Sequence, residues 1–235
     1  MTTEVWKAAA SLVAAYLVGS VPTGVVVARL AKGIDVRRMH SGRTGGTNVA
    51  RSAGFWAGLG TGIGDVLKGA GVVWLARGLT GGIPWVEAAA GALAVLGHNH
   101  SIFLLERIDG RLRFSGGAGG APTMGVALGL WAPTALWVIP PALILLLVVG
   151  YASLATLSVG LLVLVTFSWR ALAGLGPWEY AAFGAVAAVL LVLALRPNLR
   201  RLVSGQERLV GLRARRKPSP GASSSPAGPS PKRRP

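Results

Sequence analysis

Long apolar blocks alternate along this chain with glycine-rich basic segments. Leu12 to Leu30, Phe55 to Leu75, Val86 to Leu105, Thr123 to Ile139, Ala142 to Leu157 and Phe183 to Leu195 consist mostly of Leu, Val, Ala, Gly and Trp. Crossing a bilayer core about 30 Å thick takes roughly 20 such residues in a helix. Backbone groups in lipid must bond within their own segment or around a closed barrel, and blocks this long lack the alternation of barrel strands. The pattern predicts an all-α polytopic helix bundle with about seven transmembrane helices: Ala8–Leu30, Ala53–Ala76, Trp85–Leu105, Pro122–Ile139, Pro140–Leu154, Ala155–Trp169 and Trp178–Leu195. Between them lie a basic loop over 31–52, a turn over 77–84 and a polar loop over 106–121. Pro140, Pro141, Gly150, Gly160 and Gly174 to Pro177 are read as punctuating the later segments.

Composition agrees. Hydrophobic residues make up 52% of the 235 and charged residues 14%, with mean hydropathy +0.56. Soluble domains carry about 25% charged residues. A cleaved signal peptide fits the first block poorly, since it opens with Glu4 and Lys7, lacks a small-residue cleavage site and leads into further apolar blocks. Cysteine is absent, which excludes disulfide and thiolate chemistry.

The net charge is +16, and most of the basic residues fall in three clusters beside the blocks: six from Arg29 to Arg51, three from Arg107 to Arg113 and eleven from Arg196 onward. Positive charge beside apolar helices marks the cytoplasmic face and meets anionic headgroups. No zinc, helix-turn-helix or aromatic RNA-binding pattern accompanies it, so nucleic acid is not the expected partner. Seven crossings place all three clusters inside, with the N-terminus outside and the C-terminus cytoplasmic. In the outer turns only Arg77, and Arg170 balanced by Glu179, carry charge. Residues 1–212 read as the membrane domain and 213–235, rich in Pro and Ser, as a disordered basic tail.

Four polar clusters need explaining. Ser41-Gly42-Arg43-Thr44-Gly45-Gly46-Thr47-Asn48, followed by Arg51, combines glycines with hydroxyls and guanidinium groups, a set suited to holding phosphate. Asp65 and Lys68 share one face of an apolar helix, where charges usually line an interior site. Gly97-His98-Asn99-His100-Ser101 precedes a turn, Ser115 to Gly120, whose backbone N–H groups are candidates to receive a second anion. Arg196, Asn198, Arg200, Arg201 and Glu207 follow the last apolar block.

These elements resemble, in order, the motifs of the bacterial membrane glycerol-3-phosphate acyltransferase family that uses acyl phosphate. Ser41 to Val49 is similar to its Ser-Gly-Asn-X-Gly-Ala-Thr-Asn-Val element. Asp65, Lys68 and Gly69 match Asp-X-X-Lys-Gly; Gly97, His98, Ser101, Phe103 and Leu104 match its Gly-His segment. Asn198, Leu199, Arg201, Leu202, Gly205 and Glu207 match the terminal motif. The resemblance implies acyl transfer from acyl phosphate to the 1-hydroxyl of glycerol 3-phosphate, giving lysophosphatidic acid and phosphate, in a bacterial inner membrane with the site facing the cytoplasm. It implies Ser41, Asn48, Arg51, His98 and Asn198 as catalytic. Arg43, Thr47, Asp65, Lys68, Gly116, Gly117, Gly119, Arg201 and Glu207 would bind substrate. It implies no metal and no cofactor, and a monomer or weak oligomer among membrane lipids. The chain departs from the pattern at Arg43 in place of Asn, at Ala118 in place of Lys, and at Leu195-Arg196-Pro197 in place of His-Arg-Glu. Arg43, Arg111 or Arg113 is the candidate to restore the charge missing at 118. A divergent or catalytically silent relative, or a small transporter or anion-binding protein, is the alternative.

Overall fold

The first apolar block does not form one helix. Pro22 has no N–H to continue the ladder, so α1 (Thr2–Ser20) ends there and α2 (Thr23–Lys32) restarts at a new angle. The break leaves carbonyls without helical partners, and other parts of the chain supply donors. Lys68 Nζ lies 3.0 Å from the Val21 carbonyl and Ser101 Oγ 2.5 Å from the Ser20 carbonyl. In a computed structural model describing residues 2–215, the chain continues through a 3₁₀ turn (Val36–Arg38), α3 (Gly46–Ala53), α4 (Phe55–Thr80) and α5 (Pro84–Asn99). A hairpin of β1 (Ser101–Ile108) and β2 (Arg111–Ser115) follows. Then come α6 (Gly120–Leu130), α7 (Thr134–Ile144), α8 (Ala152–Leu172), α9 (Trp178–Val203) and α10 (Gly211–Arg215).

Among the described residues, three helical bodies are long and apolar enough to cross a membrane: Glu4–Lys32 across the α1–α2 break, Ala152–Leu172 and Trp178–Val203. Their packing is that of a membrane bundle. The buried core is largely Ala, Val and Gly, whereas large side chains such as Leu67, Leu161, Val165 and Val189 point outward. An outward apolar surface of this kind requires lipid, and small residues let helix backbones touch. At the α4–α6 contact a Cβ on Gly125 would sit 2.0 Å from the Val66 carbonyl oxygen, so only glycine fits.

Several expected boundaries shift. The fold is helical except for the hairpin, which occupies most of the polar loop expected over 106–121. Its strands pair antiparallel, Leu105 with Phe114 and Ile108 with Arg111. Asp109 (φ 50°) and Gly110 (φ 73°) form its two-residue turn, a geometry that Asp-Gly favours. The predicted Pro122–Ile139 helix divides at Trp131–Pro133 into α6 and α7, while Pro140 and Pro141 lie inside α7. These two prolines remove interior hydrogen bonds. The ladder then widens into π-type turns over Leu145–Val149 and ends at Gly150, whose N–H reaches the Leu145 carbonyl at 2.9 Å. Of the expected tail, 213–215 close α10, and 216–235 lie outside the described residues.

The C-terminal ends of α5 and α9 and the N-terminal ends of α3, α6 and α8 gather at one end of the bundle. The other end is closed by a buried carboxylate. Arg77, inside α4 and not in a turn, grips Glu87 of α5 through two bonds of 2.8 and 2.7 Å, and Tyr180 of α9 donates to the same carboxylate at 2.6 Å. Nearby, Arg170 pairs with no Glu179; its guanidinium lies 3.8 Å above the Trp131 ring and bonds the Leu175 carbonyl.

Replacing Glu87 by Ala strands the guanidinium and the tyrosine hydroxyl together. We expect a loss on the order of 3 kcal/mol, read as a fall in unfolding temperature in detergent; an unchanged temperature would show that the cluster does not hold the three helices.

Candidate functional site

The loop joining α2 to α3 is folded by its own polar side chains. Asp35 caps the 3₁₀ turn, accepting from the Arg37 N–H at 3.0 Å, while Arg37 Nε and Nη2 grip the same carboxylate at 3.0 and 2.6 Å. These bonds to Arg37 hold the Asp35 carboxyl down to about 2, against the cost of burial. Arg37 also pairs with Glu106, tying the loop to β1. Asn48, buried at the start of α3, directs its amide N–H groups to the carbonyls of Val36 (3.1 Å), Met39 (3.1 Å) and Arg43 (2.7 Å). The loop is thereby curled back over the end of the bundle.

Two adjoining cavities open beneath it, one of about 170 Å³ and one of about 370 Å³. Ser41, Arg43, Asn198 and Arg201 stand between them and line both. The first is completed by Thr47, Asn48, Arg51 and Glu207, with Ala118 in its wall. The second is polar toward Asn99, Ser115 and Gly116 and apolar toward Phe114, Leu193 and Pro197. His40, Ser153 and Arg208 also line the first cavity; sequence reading did not single them out. Each adjoins a signal that was available: His40 precedes the glycine loop, Ser153 follows the Gly150 break and Arg208 follows Glu207.

Segment 204–210 returns across the first cavity. Ser153 Oγ donates to Glu207 at 2.6 Å, the Val210 N–H to the Gly150 carbonyl at 2.8 Å, and Arg51 Nη2 to the Arg208 carbonyl at 3.0 Å. Arg208 donates to Nδ1 of His40 at 3.1 Å.

Asp65, Lys68 and His98 line neither cavity, in contrast to the direct substrate roles expected of them. They form a buried cluster below the glycine turn, with Lys68 Nζ 2.9 Å from Asp65 Oδ1 and 3.0 Å from His98 Nδ1. An ammonium can only donate, so Nδ1 accepts and the neutral ring carries its proton on Nε2. That nitrogen faces Gly117, where a Cβ would lie only 1.9 Å away. His98 is therefore packed against the turn and shielded from the cavities.

The glycine turn also differs from expectation. The Gly117 N–H is committed to the His98 carbonyl at 2.9 Å, and the Gly117 carbonyl accepts from Arg43 Nη1 at 3.0 Å. Gly116 lines the second cavity, while Gly119 sits against Asn99 and Leu191. Charge at this turn comes from Arg43, whose other guanidinium nitrogen bonds the Ala194 carbonyl of α9. Arg111 and Arg113, the other candidates to replace the charge missing at 118, are exposed on the hairpin and line neither cavity.

Burial and then the neighbouring Arg201 charge pull the Arg43 guanidinium below its usual value. Burial and Arg208 do the same to Arg51, with Glu207 opposing. Crowded, half-desolvated guanidinium groups with few acidic partners favour an incoming anion, and Arg geometry suits the two oxygens of a phosphate.

Comparison with known proteins places this geometry. Residues 9–205 match the family model described as glycerol-3-phosphate acyltransferase. A glycerol-3-phosphate acyltransferase of Thermus thermophilus is 38% identical over 214 residues, covering 91% of this chain and 98% of the relative. Glycerol-3-phosphate acyltransferase 2 of Moorella thermoacetica is 39% identical over 207 residues, covering 87% and 98%. Two crystal structures of PlsY (YgiH), an integral membrane glycerol 3-phosphate acyltransferase, superpose at 32% identity and cover 87% of this chain. The glycerol 3-phosphate form has a TM-score of 0.74 with 96% of its own chain covered, and the lysophosphatidic acid form 0.72 with 95%. The chain belongs to the glycerol-3-phosphate acyltransferase family.

The Asp35–Arg37 anchor has a defined pH signature. A carboxyl with a lowered folded value stabilises the fold above its unfolded value near 3.9. That contribution is lost as pH falls toward about 2. Amide exchange over 36–45 should stay slow from neutral pH down to about pH 4 and accelerate between about pH 4 and 2 beyond its intrinsic trend. Asp35→Asn should remove that acid-dependent step; a variant that retains it would assign the transition to another group.

Proposed function

We propose that this chain transfers an acyl group from an acyl phosphate to the 1-hydroxyl of glycerol 3-phosphate, releasing lysophosphatidic acid and inorganic phosphate for phospholipid synthesis. The observation carrying this reading is the pair of adjoining cavities with Ser41, Arg43, Asn198 and Arg201 between them. Two substrates that each bring a phosphate need two cationic places side by side, and one substrate also needs an apolar exit.

In this reading the first cavity takes glycerol 3-phosphate. Ser41, Thr47 and Arg51 hold its phosphate, with Asn48 shaping the loop around it. The second takes the head of the acyl phosphate beside Ser115, Gly116 and Arg43, and its chain leaves past Phe114 and Leu193 toward lipid. The acceptor hydroxyl oxygen attacks the carbonyl carbon of the mixed anhydride, the bond from that carbon to the oxygen bridging to phosphorus breaks, and the bridging oxygen leaves with the phosphate. The hydroxyl proton goes to that departing phosphate, so the reaction balances without a protein base. This suits a site in which His98 lies beneath the turn and Glu207 is occupied by Ser153. Arg43 and Arg201 offset the negative charge gathering between the cavities, and fixed charges of this kind usually supply the largest part of a rate enhancement.

Seven crossings fit the helices if α1–α2, α4, α5, α6, α7, α8 and α9 each count once. The N-terminus then lies outside and the site end, with its basic segments, inside a bacterial cytoplasmic membrane. The 11 residues of α6 span only about 16 Å, which its burial among neighbouring helices permits. The bundle encloses both cavities within one chain, consistent with a monomer or weak oligomer.

The test is product formation by purified protein in detergent with palmitoyl phosphate and labelled glycerol 3-phosphate. Lysophosphatidic acid should form, and Arg43→Ala and Arg201→Ala should each lower kcat/KM by about 10²–10³ without loss of fold. Asn48→Ala should lower activity and unfolding temperature together. Absence of product from folded parent protein would favour the silent relative, with Ala118 as the cause.

A further inference from the structure

We infer that the β1–β2 hairpin is a docking element for an anionic lipid surface, a role additional to the place of its Phe114 at the edge of the second cavity. The alternation of the strands sorts its side chains. Cross-strand pairing places Leu105, Arg107, Leu112 and Phe114 on one face and Glu106, Arg111 and Arg113 on the other. Leu112 is 67% exposed and Phe114 47%, an apolar pair left open on a two-stranded sheet. Such a face is unstable in water unless something covers it.

Two observations identify the cover as lipid. The first is continuity. The hairpin base is bonded to the end of α1, Ser101 to the Ser20 carbonyl and Tyr16 to the His100 carbonyl. The exposed Leu17 of that helix and the exposed Val21 just beyond its end lie on the element that packs on β1, whose first residues include the exposed Ile102 and Phe103. Exposed apolar side chains thus continue from the membrane helix onto the hairpin. The second is charge. Arg107, Arg111 and Arg113 are all exposed, and of the hairpin's two acids Glu106 is taken by Arg37 while Asp109 sits at the turn, so basic groups remain in excess. Apolar side chains immersed at headgroup depth, beside arginines that reach anionic headgroups, form the usual composition of an interfacial anchor. Partner and depth follow from this: phospholipids of negative charge, with Leu112 at the headgroup–acyl boundary.

The chain has no cysteine, so single labels can be placed on the full protein. Leu112→Cys and Arg111→Cys, neighbours on opposite faces, would each carry an environment-sensitive fluorophore. Each protein is reconstituted in phosphatidylcholine vesicles with or without phosphatidylglycerol and with nitroxide-labelled lipid. In phosphatidylglycerol vesicles the label at 112 should shift to shorter wavelength and be quenched more strongly than the label at 111. Adding Arg113→Gln should lower the docked-to-free ratio about five-fold, the effect of one basic residue near an anionic surface. Equal, water-like emission at both positions in both vesicle types would overturn the proposal. So would quenching at 112 indifferent to phosphatidylglycerol, or a shift at 112 that appears only when an acidic soluble protein is added.

Discussion

A lysine ammonium enclosed by α1, α4 and α5 needs an acceptor for its protons, and the arrangement of this bundle follows from where Lys68 finds them. Asp65 comes from one turn earlier in the same helix. The Val21 carbonyl is available only because Pro22 breaks the first apolar block into α1 and α2. His98 supplies Nδ1 from the end of α5. With side-chain exposures of 8% for Lys68 and 2% for Asp65, neither charge can turn to water, so the three helices are held in one relation. The consequence passes upward. The His98 ring, fixed from below, packs against Gly117, and its carbonyl takes the Gly117 N–H. The Gly117 carbonyl then anchors Arg43 between the two cavities.

Above this lock the site is built from cations with few anions. Arg43, Arg51, Arg201 and Arg208 surround a space in which Glu207 is the one carboxylate lining either cavity, and Ser153 holds it aside. The guanidinium groups therefore satisfy themselves on backbone carbonyls: Arg43 on Gly117 and Ala194, Arg51 on Arg208 and Leu209. A phosphate entering such a space replaces weak carbonyl contacts with charge-assisted ones. The same bonds that hold these guanidinium groups in the fold also hold them in position toward the cavities. The departure at Ala118 reads differently in this light, because Arg43 reaches the carbonyl of the residue immediately before it.

Much of this was legible in the sequence, and the rest failed for identifiable reasons. Apolar blocks mark the helices, and glycine, hydroxyl and arginine density marks the loop that lines the first cavity. Spacing alone could not show that Asp65, Lys68 and His98 face one another beneath the site, since periodicity says which face a residue shares and not what lies opposite. The hairpin was passed over as a polar loop although Asp109-Gly110 is a strong turn signal, because Arg-rich sequence beside a membrane reads as a connector. Pro140 and Pro141 misled for the opposite reason: an apolar helix whose side chains face mostly outward accommodates them inside α7, and Trp131-Ala132-Pro133 makes the break. The Arg77–Glu87–Tyr180 cluster joins three helices, and no local pattern announces a contact of that range.

The buried charge cluster sets the geometry of the cationic cavities from below. The Asp65→Asn, Lys68→Met double variant tests it most directly, since it removes both charges and strands neither. Its rate of lysophosphatidic acid formation should be compared with the parent's at matched folded fraction. The double variant should fold and its rate should fall at least about ten-fold, in keeping with the 10–100-fold usual for supporting residues behind a site, because the His98 ring and the Val21 carbonyl lose their shared donor. A folded double variant turning over at the parental rate would contradict it.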